Sequence, residues 1–218
     1  MKREIKYLLG VLIGVAVISF VGFKFFLQDT VQKKVSEVSN YPMISNLVTA
    51  DSFSYGPADA KVTVIEFFDP ECESCAAVSP YIKNEMKHYE GKVRWIFRYI
   101  PYHFNSKLAI AALESARKQN LYLEAMDLLF KHQSGWGEKQ VSTGDEINKL
   151  VLSLPKINKK KYLEDLGNPE IQTMINRDEA EGKQAGVKGT PTFFVNGVII
   201  DELNLDTLIS RINSGLGL

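Results

Sequence analysis

The sequence is poor in the residues that most often carry chemistry. Its 218 residues include two cysteines, three histidines and two tryptophans. Two cysteines cannot build a disulfide framework, and a bridge across so short a loop would restrain the unfolded chain little. A zinc site needs about four ligands. There is no second cysteine pair, and His88, His103 and His132 are scattered without ligand spacing. Net charge is also missing, because 26 Lys and Arg balance 26 Asp and Glu. That balance gives no footprint for nucleic acid or a strongly anionic partner. No internal repeat or low-complexity run is visible. What remains is a chain 45% hydrophobic and 24% charged, long enough for one large domain or one domain with an insertion.

The two cysteines, Cys72 and Cys75, sit in Val62-Thr-Val-Ile-Glu-Phe-Phe-Asp-Pro-Glu-Cys-Glu-Ser-Cys75. This reads as an apolar strand, a break at Pro70, and a Cys-x-x-Cys pair opening a helix. Unpaired N–H groups at a helix start favour an anion. A thiol placed there ionises more easily, and the thiolate is the reactive form. The second cysteine is spaced to attack a mixed disulfide formed by the first. The pair therefore points to thiol–disulfide exchange.

Met1 to Leu27 reads as a targeting or anchoring segment. Lys2, Arg3 and Lys6 precede a run of 17 uncharged residues, Tyr7–Phe23. That is near the lower limit for a membrane span and longer than a usual signal core. The expectation is an uncleaved anchor, residues 1–27, with a cleaved signal and a secreted soluble form as the alternative. The positive charge before it, together with redox chemistry, places the folded part at the extracytoplasmic face of the membrane. Residues 28–57 read as a connector. Val31, Val35 and Val38 have helical spacing, with packing on the domain or a homodimer contact as alternatives. Ser54-Tyr55-Gly56-Pro57 reads as a turn.

Val62–Asp69 is expected as a strand covered on both faces. Glu66 is its odd residue. Either it faces solvent at a strand end, or it is a carboxylate buried below the cysteines with a raised pKa, relaying protons. The second reading is the one carried forward. A helix over 73–89 follows, with Val78, Ile82, Met86 and Tyr89 on one face and Pro80 inside it. Val93–Ile100 is the next strand, parallel to the first through the helical crossover.

Residues 105–185 read as helical throughout, an insertion between the two parts, 58–104 and 186–218, of an α/β domain. Asn105 is expected to cap its first helix, Gly135-Trp136-Gly137 to form a loop, and Thr143 and Glu146 to form a capping box. Asn168-Pro169 marks another helix start. His103, His132 and Trp136 are read as packing or surface residues rather than a substrate surface. Phe193–Val195 and Val198–Ile200 form a hairpin about Asn196-Gly197. Asn204 caps a last helix, which Gly215 is expected to end.

This order of strand, Cys-x-x-Cys helix, strand, helical insert, Thr-Pro strand, hairpin and helix resembles the thioredoxin fold with a helical insertion. It is the arrangement of the DsbA family of bacterial disulfide oxidoreductases. The resemblance rests on Ile65–Cys75, on Pro80, on Phe97–Pro101 and on Val187-Lys-Gly-Thr-Pro-Thr-Phe-Phe-Val-Asn-Gly197. It implies that Cys72 is the exposed attacking cysteine, Cys75 the buried resolving one and Glu66 the buried acid. It also implies that Pro191 is a cis-proline, whose loop, with Thr190, binds extended substrate backbone by strand addition.

The redox group would be the cysteine pair itself, with no other cofactor and no metal. The partners implied are exported proteins with cysteines and a membrane redox partner, DsbB-like for an oxidase or DsbD-like for an isomerase. The sequence departs from the strongly oxidising members, which carry a histidine between the cysteines. Glu73 and Ser74 stand there, and Glu71 is adjacent. Negative charge from Glu71 and Glu73 is expected to disfavour the Cys72 thiolate and make the couple less oxidising. A disulfide donor is the leading reading. An isomerase or reductase is the alternative that Glu73-Ser74 and Thr190 favour. A copper(I) chaperone or a holdase stands behind both.

Overall fold

The computed structural model describes residues 47–200 and 203–218. The segments read as an anchor and as a valine-striped helix lie outside the described residues. Among the described residues, no helix is long and apolar enough to cross a membrane.

A five-stranded sheet organises the domain. Its strands are β1 (Phe53–Tyr55), β2 (Val62–Phe68), β3 (Val93–Tyr99), β4 (Thr192–Val195) and β5 (Val198–Ile199), in spatial order β1-β3-β2-β4-β5. β2 and β3 run parallel, joined through helix α1 (Glu73–His88). β4 lies antiparallel on the other side of β2, with Glu66 opposite Phe193. The carboxyl ends of β2 and β3 and the start of β4 thus meet at one edge of the sheet.

Side chains alternate between the two faces of a strand. On β2, Val62, Val64 and Phe68 enter a large core with α1, while Ile65 and Phe67 pack into a second core with Ile96, Ile100 and Phe194. Burial on both faces is why the strand is nearly continuously apolar. Glu66 shares the face of Val64 and Phe68, so the period of the strand itself directs its carboxyl group into the larger core.

Between β3 and β4 come α2 (Ser106–Arg117), α3 (Tyr122–Lys131), α4 (Gln133–Trp136), α5 (Gly144–Val151), α6 (Lys159–Leu166) and α7 (Pro169–Gln184). Asn168 Oδ1 accepts from the Glu170 N–H at 2.9 Å, and Pro169 opens α7 behind it. At the carboxyl end is α8 (Leu205–Leu216), where Asn204 Oδ1 accepts from the Thr207 N–H at 2.9 Å.

Several sequence expectations are corrected. Ser54 and Tyr55 are not in a turn. They belong to β1, paired with β3 and held by Phe53 stacked on Tyr122 at 3.9 Å, so the sheet begins inside the segment 28–57 read as a connector. The turn starts at Gly56. The stretch around Trp136 is a helical turn rather than a loop, because the buried indole donates to the Leu129 carbonyl at 3.0 Å. Thr143 precedes α5 but does not cap it; its hydroxyl donates to the Trp136 carbonyl at 2.8 Å. Asn105 precedes α2 without capping it, for a reason that belongs to the site. Gly215 does not end α8. It lies within the helix, where a Cβ would come 2.7 Å from Val62 Cγ2, and Gly217 ends it at φ 81°.

Gly56 combines φ 97° with a position where a Cβ would lie 2.2 Å from the Val93 carbonyl oxygen. Neither the dihedral nor a backbone atom yields easily. Gly56→Ala is expected to destabilise the protein by at least about 1–3 kcal/mol, read as a lower urea midpoint at unchanged slope. An unchanged midpoint would show that the β1–β3 edge relaxes freely.

Candidate active site

β2 ends at Phe68, and the chain turns through Asp69, Pro70 and Glu71 into α1. Asp69 organises that turn. Its Oδ1 accepts from the Glu71 N–H at 2.9 Å, and its carbonyl accepts from the Cys72 N–H at 3.0 Å. Its Oδ2 reaches the loop after β3, accepting from the N–H of Tyr102 at 2.8 Å and from that of His103 at 3.3 Å. The His103 ring lies against the same oxygen, Nδ1 to Oδ2 at 2.7 Å. Gln133 closes the turn from α4, donating to the carbonyls of Pro70 at 2.9 Å and Cys72 at 3.1 Å.

Cys72 stands at the N-cap of α1 with extended backbone, and Cys75 lies one turn in. Both are free thiols. Cys72 is half-buried and Cys75 is buried, 1% exposed. Their environments act in opposite directions. The hydrogen bond from the Cys75 thiol, joined by the backbone N–H groups of Cys75 and Ser74, lowers Cys72 to about 5 against the effect of burial. Burial pushes Cys75 far up, and the bond to Cys72 and the charges of Cys72 and Glu66 add to it. At neutral pH one sulfur is a thiolate and the other a thiol.

Glu66 lies beneath the pair. Desolvation alone raises it to about 8. It lines a cavity of about 10 Å³ with Ser79 and Lys83 of α1 and Asp127 of α3. That space fits about one water molecule and offers it several polar partners. Lys83 pairs with Asp127 at the solvent side of the same cavity.

The Thr190–Pro191 peptide bond is cis. Cys72 Sγ lies 3.4 Å from the Thr190 carbonyl oxygen and donates to it when protonated. Cys72, Cys75, Glu66, Thr190 and Pro191 are therefore brought to one end of the sheet.

The acidic neighbours have partners of their own. Glu71 is buried, and its carboxylate turns away to accept from the Asn105 N–H at 2.5 Å and the Glu138 N–H at 2.9 Å. It serves as an anchor for two loops. Glu73 is exposed and raises Glu138, which shares a hydrogen bond with it. Ser74 contributes its backbone N–H to Cys72.

Sequence reasoning missed Asp69, Asn105 and Gln133. The side chain of Asn105 donates to the carbonyls of Lys139 and Val141, both at 3.1 Å, and accepts from the Thr143 N–H, which is why it does not cap α2. An aspartate directly after an apolar strand and before proline is a recognisable turn signal. Gln133 offers none. His103 faces the site, while His132 is exposed and Trp136 is buried in the core.

Glu66 also sets a pH dependence. Its folded pKa is raised above the ordinary 4.5, so stability is fully present below pH 4.5 and falls as pH rises toward 8. The loss between pH 4.5 and 7 is roughly 3 kcal/mol. Glu66→Gln removes it. For the dithiol form, the urea midpoint of this variant relative to wild type should therefore rise between pH 5 and 7.5. Parallel midpoints at the two pH values would mean that Glu66 ionises without cost.

The fold and site have relatives. A family model described as Thioredoxin matches residues 49–214. A probable disulfide bond formation protein D of Bacillus anthracis is 27% identical over 95% of this chain and 95% of its own length. The crystal structure of BdbD from Bacillus subtilis superposes with a TM-score of 0.66 at 26% identity, over 76% of this chain and 92% of that one. A Na(+)/H(+) antiporter NhaA of Herminiimonas arsenicoxydans is 25% identical over 86% of this chain, which spans only 29% of that longer protein. With its model matched across the sheet, the cysteine pair and the Thr190–Pro191 loop, the chain belongs to the thioredoxin family.

Proposed function

We propose that the protein is an extracytoplasmic thiol:disulfide oxidoreductase that passes a disulfide from Cys72–Cys75 to cysteines of exported proteins. The observation that carries this reading is the opposed pair of sulfurs at the start of α1. A half-buried Cys72 lowered to about 5 is a nucleophile at neutral pH and a good leaving group. A buried Cys75 beside a protonated Glu66 holds its proton until exchange calls for it. The names of the Bacillus relatives support the same reading.

The reaction runs as follows. A client thiolate attacks Cys72 of the oxidised pair, the Cys72–Cys75 bond breaks, and the electron pair passes to Cys75. Glu66 protonates that thiolate. A second client thiol attacks the mixed disulfide and expels Cys72 as a stable thiolate. Thr190 and Pro191 hold the client backbone in extended form beside Cys72. A membrane partner of the DsbB kind reoxidises the pair. Thr190 before Pro191 favours a second reading, an isomerase or reductase kept reduced by a DsbD-like partner.

A thiol near 5 lies between about 7 for thioredoxin and about 3.5 for DsbA. The reduction potential is therefore expected between about −270 and −120 mV, read by equilibration in glutathione buffers. A value outside that interval would separate the Cys72 pKa from the potential. In cells, Cys75→Ser should accumulate mixed disulfides that thiol reductants release and that Cys72→Ser does not form. If neither variant traps a client, the holdase reading takes over. Acid quench and alkylation of the native protein then give direction: an oxidised pool for a donor, a reduced pool for an isomerase.

A further inference from the structure

The step above begins with a client thiolate, yet a free cysteine has a pKa of about 8.5 and is mostly protonated at neutral pH. Something must take that proton. Two loops flank the turn that carries Cys72 at one end of the sheet. The Thr190–Pro191 loop, leading into β4, lies on one side of β2, and the loop after β3 lies on the other. His103 is in that second loop.

Its ring and Cys72 are held by the same residue. Nδ1 lies 2.7 Å from Asp69 Oδ2, while the Cys72 N–H donates to the Asp69 carbonyl at 3.0 Å. Asp69 is fully buried, whereas the His103 side chain is 42% exposed. A carboxylate at Nδ1 requires the proton there, so the lone pair of the neutral ring sits on Nε2. Fixed at one nitrogen and open at the other, the imidazole has the orientation of a proton acceptor.

From this geometry we infer that His103 is a catalytic base, whose Nε2 takes the proton of the client thiol as its sulfur attacks Cys72. The inference rests on the proposed function. The client S–H bond breaks with its proton going to Nε2, and the client S–Cys72 S bond forms. The Cys72–Cys75 bond breaks and its electron pair goes to Cys75, which takes a proton from Glu66. The client sulfur is oxidised and Cys75 is reduced, with the Cys72–Cys75 disulfide as oxidant. In the reverse direction the imidazolium protonates a departing client thiolate.

The charged groups that face the ring are Asp69, Glu71 and Cys72 from the β2–α1 turn and Glu138 from the segment after α4. Partial burial opposes protonation of His103. In the dithiol form the bond and charge of Asp69, with Cys72 and Glu71, outweigh it and raise the ring's pKa; in the oxidised pair the charge on Cys72 is absent, and Asp69 and Glu71 remain. A raised value brings the acceptor closer to the thiol it serves.

The test uses the oxidised full chain and a reduced two-cysteine peptide, with rates taken from rapid acid quench between pH 5 and 9.5. His103→Ala should lose roughly 10²-fold in rate below pH 7. It should rejoin wild type above pH 9, where the peptide ionises unaided, and free imidazole should restore the low-pH rate. His103→Gln, which can still donate to Asp69, should show the same loss with the loop anchored. A loss equal at every pH, or one that imidazole leaves untouched, would make His103 a loop anchor and overturn the proposal, as would superimposable profiles. A raised Cys72 pKa in His103→Gln without imidazole rescue would assign it a purely electrostatic role and overturn it too. Cys72→Ser is the control for the underlying reading. If that variant still oxidises the peptide, the proposed function fails, independently of His103.

Discussion

Asp69 is the constraint on which the site depends. One buried carboxylate accepts from the turn that carries the cysteines and from the loop that follows β3. The two loops leave neighbouring parallel strands at the same end, and without the Asp69 side chain the N–H groups of Glu71 and Tyr102 would lose their acceptor, while that of His103 would keep Ser106 Oγ at 3.1 Å. A lost partner of that kind costs about 1–3 kcal/mol per group. Satisfying several with one side chain fixes the relative positions of the loops more tightly than separate bonds would. Gln133 and Glu71 extend the same logic outward, tying the turn to α4, Asn105 and Glu138. The helices between β3 and β4 thus do more than cover the sheet, since they hold the backbone on which Cys72 stands.

On that fixed backbone, two sulfurs a single turn apart acquire opposite properties. The helix start and the Cys75 thiol favour charge on Cys72, while the core forbids it on Cys75. The proposed exchange needs that asymmetry. If both sulfurs were easily ionised, the dithiol would concentrate two charges in one turn, and if both were buried, no client would reach either. Glu66 fits beneath because it too is held neutral, at about 8. A carboxyl group ionised at neutral pH would raise the cost of a Cys75 thiolate and have no proton to give.

What was legible in the sequence was what local pattern decides. The apolar runs gave β2 and β3, Asn196-Gly197 gave the hairpin, and Asn168-Pro169 and Asn204 marked helix starts, because each depends on residues within a few positions. Thr143 and Asn105 carried equally good capping signals and were misread, since Trp136 and the 139–143 segment compete for their side chains. The anchoring role of Glu71 was not legible, because adjacency to a thiol in sequence says nothing of its partners; the N–H groups of Asn105 and Glu138 come from distant segments. β1 was missed for a related reason. Ser54-Tyr55-Gly56-Pro57 looks like a turn, and pairing with β3 together with the contacts of Phe53 to Phe97 and to Tyr122 of α3, all distant in sequence, make its first half a strand.

The surface around Cys72 is unequal on its two sides, and that bears on what kind of client the proposed function would suit. Under the proposed function the Thr190 side would offer backbone to any extended chain, which reads no sequence. The other side presents Tyr102 at 45% and Phe104 at 57% exposure, flanking His103. Apolar surface of this kind binds by area rather than by a pattern of donors, and an unfolded client exposes many such side chains. A folded client presents neither a free extended backbone nor its apolar residues. On the proposed function, such a surface would select for the state of the client more than for its identity, as an enzyme acting on cysteines before folding buries them would require.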